Sequence, residues 1–377
     1  MKIGILTHQL SGNYGGILQN FAMQKVLQNL GHIPVTIDYI KDIPWGIKIL
    51  SIIKRTILKL LKKSKLPIRG WTTKAEERII YKNTREFVEK YIKTTKQVDI
   101  SNIGKFDAAF DAVIIGSDQV WRYAYMKQHI LHFFGKSLGN TTSIISYASS
   151  FGTDSWEMPN DVTEQCQKLI QKFSAVSVRE SSGVHLCAQY LDVKAQHVLD
   201  PTMLISKDEY MGLLNRHDKK SKGIVTYILD QTPEKNKVIS YISEYMGHQI
   251  SSIATPLTYE NAGSNQITKC IVPPIEDWLS GILNADFVVT DSFHGTAFSI
   301  IFNKPFIVIG NVSRGLSRQI SILEKLGLED RLITKFDLDS ILTIMKTSID
   351  WDKINAILNR EKEASIKFIV NGLKHNN

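Results

Sequence analysis

The feature that most limits how this chain can fold is its alternation of short, wholly apolar runs with longer amphipathic stretches. Lys2 to Thr7 is such a run, and it ends in the polar, Gly-rich turn Ser11-Gly12-Asn13-Tyr14-Gly15-Gly16. Ile17, Leu18, Phe21, Val26, Leu27 and Leu30 then recur at helical spacing, Gly31 stops the pattern, and Ile33 to Tyr39 reads as a second strand. Strand, turn, helix and strand in that order open a βαβ unit with parallel strands. Further apolar runs lie at 112–115, 143–147, 175–178 and 197–199, and Asp200-Pro201 reads as the end of a first domain. A second alternation begins at Gly223. It has strands near 224–229, 249–253, 287–290 and 306–309 and helices near 237–246, 275–283 and 294–302, followed by C-terminal helices.

At 377 residues the chain is too long for one small core. The pattern predicts an α/β protein of two Rossmann-like, doubly wound domains facing each other across a cleft. Residues 1–201 form the first, with a basic helical insertion at about 45–95; residues 202–350 form the second, and 351–377 a C-terminal helix. In open α/β sheets ligands bind beyond the carboxyl ends of the strands.

Composition narrows the class. Hydrophobic residues make up 43% and charged residues 22%, the balance of an ordinary globular chain. Cys166, Cys187 and Cys270 are odd in number and far apart, which fits neither a disulfide framework nor a paired-cysteine metal site. The apolar run Ile3 to Leu6 is too short for a signal-peptide core, and no stretch reaches bilayer length, so the expected location is the cytoplasm. The net charge is +9, yet Lys41 to Lys74 alone holds ten basic residues against one acid, Asp42, which accounts for all of it. A single basic surface is expected, and nucleic acid is not an expected partner. Within it Ile49, Ile53, Ile57, Leu60 and Leu61 share one helix face, crowded by Lys48, Lys54, Arg55, Lys59, Lys62 and Lys63. Such a helix either lies on an anionic membrane surface through 45–69, at the inner face of the cell membrane, or packs its stripe on the domain with its lysines in water.

Chemistry concentrates at strand ends. Thr290-Asp291-Ser292-Phe293-His294-Gly295 joins a strand to a helix, and such a junction attracts anions through unpaired amides and the helix dipole. His294 could ligate a phosphate or move a proton, Ser292 adds a hydroxyl, and Asp291 could orient the imidazole. The plainer reading is a capped helix with a partly buried histidine. Arg179, after another buried strand, has the planar fork that suits carboxylate or phosphate, or it forms a salt bridge to Glu180 or another acid. Asn13, Gly15 and Gly16 make a turn open to close ligand approach, without the dinucleotide-binding glycine spacing. Asp118, next to Gln119 and Trp121, could hold a sugar or act as base for an acceptor hydroxyl; the plainer reading is that Ser117 or Asp118 caps the following helix. No His, Asp or Glu cluster has metal-ligand spacing, so neither metal nor cofactor is expected.

The string Asp291 to Phe306, DSFHGTAFSIIFNKPF, resembles the C-terminal signature of polysaccharide pyruvyltransferases. Asn13 to Gln19 (NYGGILQ) resembles that family's opening loop and Gly116 to Trp121 (GSDQVW) its second loop. Ser177-Val178-Arg179-Glu180 resembles its Ser-x-Arg-Glu turn, and Leu199 to Thr202 its Asp-Pro element. The likeness runs from about residue 2 to 335. It implies transfer of a pyruvyl group from phosphoenolpyruvate to a sugar of a cell-surface polysaccharide precursor, free or lipid-linked, to form a cyclic ketal. His294 and Asp118 would then be catalytic. Arg179, Ser292, Gly295, Arg314 and Arg318 would hold the donor, and Asn13, Tyr14, Gly15, Gly16 and Trp121 the acceptor. The first domain would be the acceptor side and the second the donor side. Some members carry Arg-Leu-His where this chain has Ser292-Phe293-His294, and Arg314 and Arg318 are the candidates to replace that arginine. Two other functions fit the pattern. One is a nucleotide-sugar glycosyltransferase of the same glycosyltransferase-B-like architecture, which would need a base and ribose pocket. The other is a non-catalytic glycan-assembly partner.

Overall fold

The structure, a computed structural model, describes residues 1–41, 45–61, 63, 66–214, 223–311 and 314–374. Its first lobe is built on β1 (Lys2–Leu6), β2 (Ile33–Thr36), β5 (Ala112–Ile115), β6 (Ser143–Ser149), β7 (Phe173–Val178) and β8 (Gln196–His197). These form one parallel sheet in the order β2-β1-β5-β6-β7-β8. A short ribbon of β3 (Tyr39–Ile40) and β4 (Val98–Asp99) stands beside it. The second lobe holds β9 (Ile224–Tyr227), β10 (Ile250–Ser252), β11 (Phe287–Thr290), β12 (Phe306–Ile309) and β13 (Leu332–Ile333), parallel in the order β10-β9-β11-β12-β13. β5, β11 and β12 are buried at every residue, as befits parallel strands covered by helices on both faces.

In each sheet the order reverses once, between β1 and β5 in the first lobe and between β9 and β11 in the second. A crevice opens at such a reversal because the flanking connections leave in opposite directions. One apolar core runs through both lobes and includes Ile3, Ile5, Val225 and Val288, and separate clusters cover the far face of each sheet.

The expected strands and helices recur, with two differences. The run 33–39 is two strands rather than one: the amide of Thr36 donates to the Lys93 carbonyl, and β3 then turns to β4. The C-terminal helix Trp351–Lys374 returns to the first lobe, where Ser365 Oγ accepts the Leu199 amide at 3.0 Å. Gly372 sits so near the sheet that a Cβ there would lie 3.1 Å from the Ala175 Cβ.

The basic helix spans Trp45–Leu60 and has no buried residue. Its apolar stripe is not packed on the domain: Ile49, Ile53, Ile57, Leu60 and Leu61 are all exposed, so that expectation is corrected. Lys62, Ser64 and Lys65 of the expected membrane-contact segment lie outside the described residues.

His197, on β8, helps join the lobes, with Nε2 3.1 Å from both the Arg179 carbonyl and Ser321 Oγ. Burial, aided by Lys325, pushes its pKa down to about 4. A depressed histidine favours the native state above its unfolded pKa of about 6.5, and that stability is lost as pH falls toward 4. Urea midpoints are therefore expected to drop between pH 7 and 5, and His197→Gln should flatten part of that drop. An unchanged slope in the variant would exclude His197 as a contributor.

Candidate functional site

Both reversal points feed one cavity of about 520 Å³ between the lobes. Asn13 and Tyr14, which begin the helix after β1, line it from the first lobe together with Asp118 and Gln119 beyond β5. From the second lobe come Asp291, Ser292, Phe293 and His294 beyond β11, with Arg314 and Arg318.

Asp118, in the left-handed region at φ 70°, is buried and turned toward the lobe interface. Its Oδ1 accepts from Arg179 NH2 at 3.0 Å and its Oδ2 from Asn13 Nδ2 at 3.3 Å. Arg179 NH1 donates to Asp200 Oδ2 at 2.7 Å, and that oxygen also accepts from Ser117 Oγ at 3.1 Å. Thr202 satisfies the other Asp200 oxygen through its amide and hydroxyl. One guanidinium thus bridges two buried carboxylates. Burial alone would push the Asp118 carboxyl up, but Arg179, with His8, His294 and Arg318, outweighs it and holds the carboxyl well below the usual range.

His294 Nε2 lies 3.9 Å from Asp200 Oδ2, beyond hydrogen-bond reach, and has no hydrogen-bond partner among the described residues. Burial lowers the pKa of this imidazole against the pull of Asp200 and Asp118, which favours the neutral ring in the absence of an anion. The ring is wedged on the first lobe: a Cβ on Gly15 would come within 1.9 Å of His294 Nδ1. Gly15 therefore serves a close approach rather than a bend in the chain.

The structure does not bring every expected site residue to the cavity. Arg179 is not on the cavity wall. Its two terminal nitrogens are occupied by Asp118 and Asp200, and its guanidinium packs 4.4 Å from the centroid of the Phe293 ring, which does line the cavity. Trp121 is a core residue, donating from its indole to the Phe133 carbonyl at 2.9 Å and stacked on Phe134. Gly16 does not line the cavity, and its nearest neighbour is the Asn13 side chain. Gly295 packs on Thr290, and its amide is taken by Ser292 Oγ, so Ser292 caps the helix Phe293–Ile301 while lining the cavity. Asp291 does not orient His294: its oxygens accept the Leu229 and Asp230 amides, Asn311 Nδ2 and Lys235 Nζ, the last at 2.6 Å.

The two candidate arginines differ. Arg314 forks onto Asp230, with Nε 2.5 Å from Oδ2 and NH2 2.8 Å from Oδ1. Arg318 makes no ion pair among the described residues. Its NH2 donates to the Arg314 carbonyl at 3.1 Å, and its Nε has no partner among the described residues. Burial and the neighbouring Arg179 bring its pKa down to about 10, so it stays charged at neutral pH. Val312 and Ser313 of the motif before it lie outside the described residues.

Sequence reading missed His8, which follows β1 at the same reversal point. Burial lowers its pKa while the nearby Asp118 opposes the shift. Its position just past the first strand was the available signal. Among the described residues no group of three or more His, Cys, Asp or Glu is arranged to hold a metal ion.

Two parallel α/β lobes with a polar cavity at their facing strand ends define a two-lobed enzyme architecture. The family model described as polysaccharide pyruvyl transferase matches residues 13–314, more than half of the chain. The chain belongs to that family and is a transferase. No curated protein sequence matches it significantly. Among solved structures, it is similar to the UDP-GlcNAc 2-epimerase from Neisseria meningitidis bound to UDP-GlcNAc, at 11% identity and TM-score 0.49 over 99% of each chain. It is also similar to the UDP-N-acetylglucosamine 2-epimerase from Rickettsia bellii, at 11% identity and TM-score 0.48 over 100% of this chain and 97% of that one. Identities this low say nothing of what the chain binds.

Proposed function

We propose that the enzyme transfers a pyruvyl group from phosphoenolpyruvate to two hydroxyls of one sugar in a cell-surface polysaccharide precursor, closing a cyclic ketal. The observation that supports this reading is that His294 and Arg318 both line the cavity, and that the buried Nε2 of one and Nε of the other have no partner among the described residues. A small, highly charged anion supplies what both groups lack.

In this reading Arg318 and His294 hold the donor phosphate and carboxylate. His294 delivers a proton to the methylene carbon, which makes the central carbon electrophilic. One sugar hydroxyl adds there, phosphate leaves, and a second hydroxyl closes the ring. Of the two hydroxyl protons released, one ends on the methyl group and the other on phosphate, so the step balances. Asp118, held ionised, is too weakly basic to be the main proton acceptor, and its place is to accept a hydrogen bond from an acceptor hydroxyl. Asn13 and Tyr14 face the same acceptor. Arg179 is a positioning residue that fixes Asp118 and Asp200 around His294. The enzyme works in the cytoplasm, where a lipid-linked precursor is presented at the inner face of the membrane.

Titration calorimetry with phosphoenolpyruvate and with UDP-sugars tests the donor, and phosphate release with a ketal product mass tests the reaction. Binding of UDP-sugars with none of phosphoenolpyruvate would replace this reading by sugar transfer. Gly15→Ala is expected to lower turnover about 100-fold, since displacing a catalytic group by about 1 Å costs that much. Wild-type turnover in that variant would show that the His294 contact is not functional.

A further inference from the structure

We propose that the helix Trp45–Leu60 docks the enzyme on an anionic phospholipid surface, with Leu50, Ile53, Ile57 and Leu60 as the face that enters the bilayer interface. These side chains are 67%, 50%, 50% and 77% exposed, and Trp45 at the helix start is 74% exposed. Lys48, Ser51, Arg55, Thr56 and Leu58, which fall on one side of the helix, are the half-buried ones, so the helix presents a mainly polar edge to the protein and its apolar stripe to the outside. Scattered exposed apolar residues are ordinary, but a contiguous stripe marks an interaction surface.

Charge decides the occupant. The helix carries Lys48, Lys54, Arg55 and Lys59 and no acid, within a segment where Asp42 is the one acid against ten bases. A second copy on this face would set like charges against each other, whereas an anionic bilayer offers headgroup phosphates beside hydrocarbon. Trp45 suits the headgroup boundary. No helix among the described residues is long and apolar enough to cross a membrane, so the contact is in plane.

The helix is tied to the cavity wall. Arg55 donates to the Pro67 carbonyl at 3.1 Å and pairs with Glu260 at 2.6 Å, while Tyr259, the residue before Glu260, lines the cavity. A Cβ on Gly70 would meet the Arg55 guanidinium at 2.4 Å, which keeps this anchor close. Docking therefore sets the cavity beside the surface that carries a lipid-linked sugar. This use rests on the proposed membrane-side acceptor, while the docking itself does not depend on the donor.

The full chain is mixed with vesicles of phosphatidylcholine, alone or with about one-third phosphatidylglycerol, and sedimented. Anionic vesicles should bind it at least about tenfold more strongly than neutral ones, less so in high salt. Ile53→Asp with Ile57→Asp, and separately Lys54→Glu with Lys59→Glu, should each remove at least about tenfold of that binding. Turnover of a water-soluble acceptor should stay at the wild-type level in both, which separates failed docking from a wrong donor. If the aspartate pair melts the helix, the charge-reversal pair, which keeps the stripe, decides the matter. No binding, equal binding to neutral vesicles, or a lipid-free dimer that Ile57→Asp dissociates would each overturn the proposal.

Discussion

His294→Ala is expected to lower kcat for pyruvyl transfer by about 100- to 10,000-fold, the usual share of a positioned proton carrier. The ring has one route to the substrate. Nδ1 faces Gly15 across the lobe boundary, while Nε2 is buried behind the cavity wall with no partner among the described residues and Asp200 too distant to engage it. Burial outweighs the nearby Asp200 and Asp118 and favours the neutral imidazole when the cavity holds no anionic ligand. A donor bearing phosphate and carboxylate charges beside it reverses that balance and raises its pKa, so binding should draw a proton from solution. Calorimetry in buffers of different ionisation enthalpy should register that uptake near pH 7 in the wild type and not in His294→Ala. His294→Gln separates two roles, because glutamine can donate a hydrogen bond but cannot carry the proton. A proton carrier predicts that Gln is as slow as Ala, with KM little changed. A phosphate ligand predicts that Gln keeps most of kcat. Turnover of His294→Ala within about threefold of wild type would remove the residue from the chemistry.

The sequence exposes some of this site and hides the rest for physical reasons. β5, β11 and β12 are legible because a strand buried on both faces must be a continuous apolar run, and the residues just past it must be polar. That alone puts Asp118 and His294 at facing strand ends. What spacing cannot carry is who meets whom. Asp118 and Asp200 reach Arg179 from 61 and 21 residues away, and that choice exists only once the loops are packed. Trp121 follows Asp118 so closely that a sugar-stacking role looks natural, yet its indole is drawn inward by the Phe133 carbonyl and the Phe134 ring. The stripe of the helix Trp45–Leu60 is plain in its periodicity, but periodicity defines a face and not the direction it points.

Arg179→Leu is expected to cost about 3–5 kcal/mol of stability at neutral pH, the penalty for stripping the cation from buried carboxylates. In the wild type that guanidinium balances Asp118 and Asp200, and the Phe293 ring covers it from the cavity. Leucine fills the space but leaves two negative charges sealed together. Arg179→Lys should fare little better, because a single ammonium cannot reach two carboxylates held by separate nitrogens of a fork. The sign with pH separates this account from lost packing. With Arg179 present both carboxyl pKa values are lowered, so the stability they contribute is present above about pH 3.8 and lost as pH falls through the folded values. Without it, burial and mutual repulsion raise both, and protonation relieves the variant as pH falls. The deficit of Arg179→Leu relative to wild type should therefore shrink between pH 7 and 5 in urea unfolding. Adding Asp118→Asn and Asp200→Asn should recover much of it at pH 7, since amides keep the shape without the charge. A deficit that stays constant with pH and ignores the asparagines would mean that Arg179 acts through packing alone, and the electrostatic cage drawn around His294 would have to be abandoned.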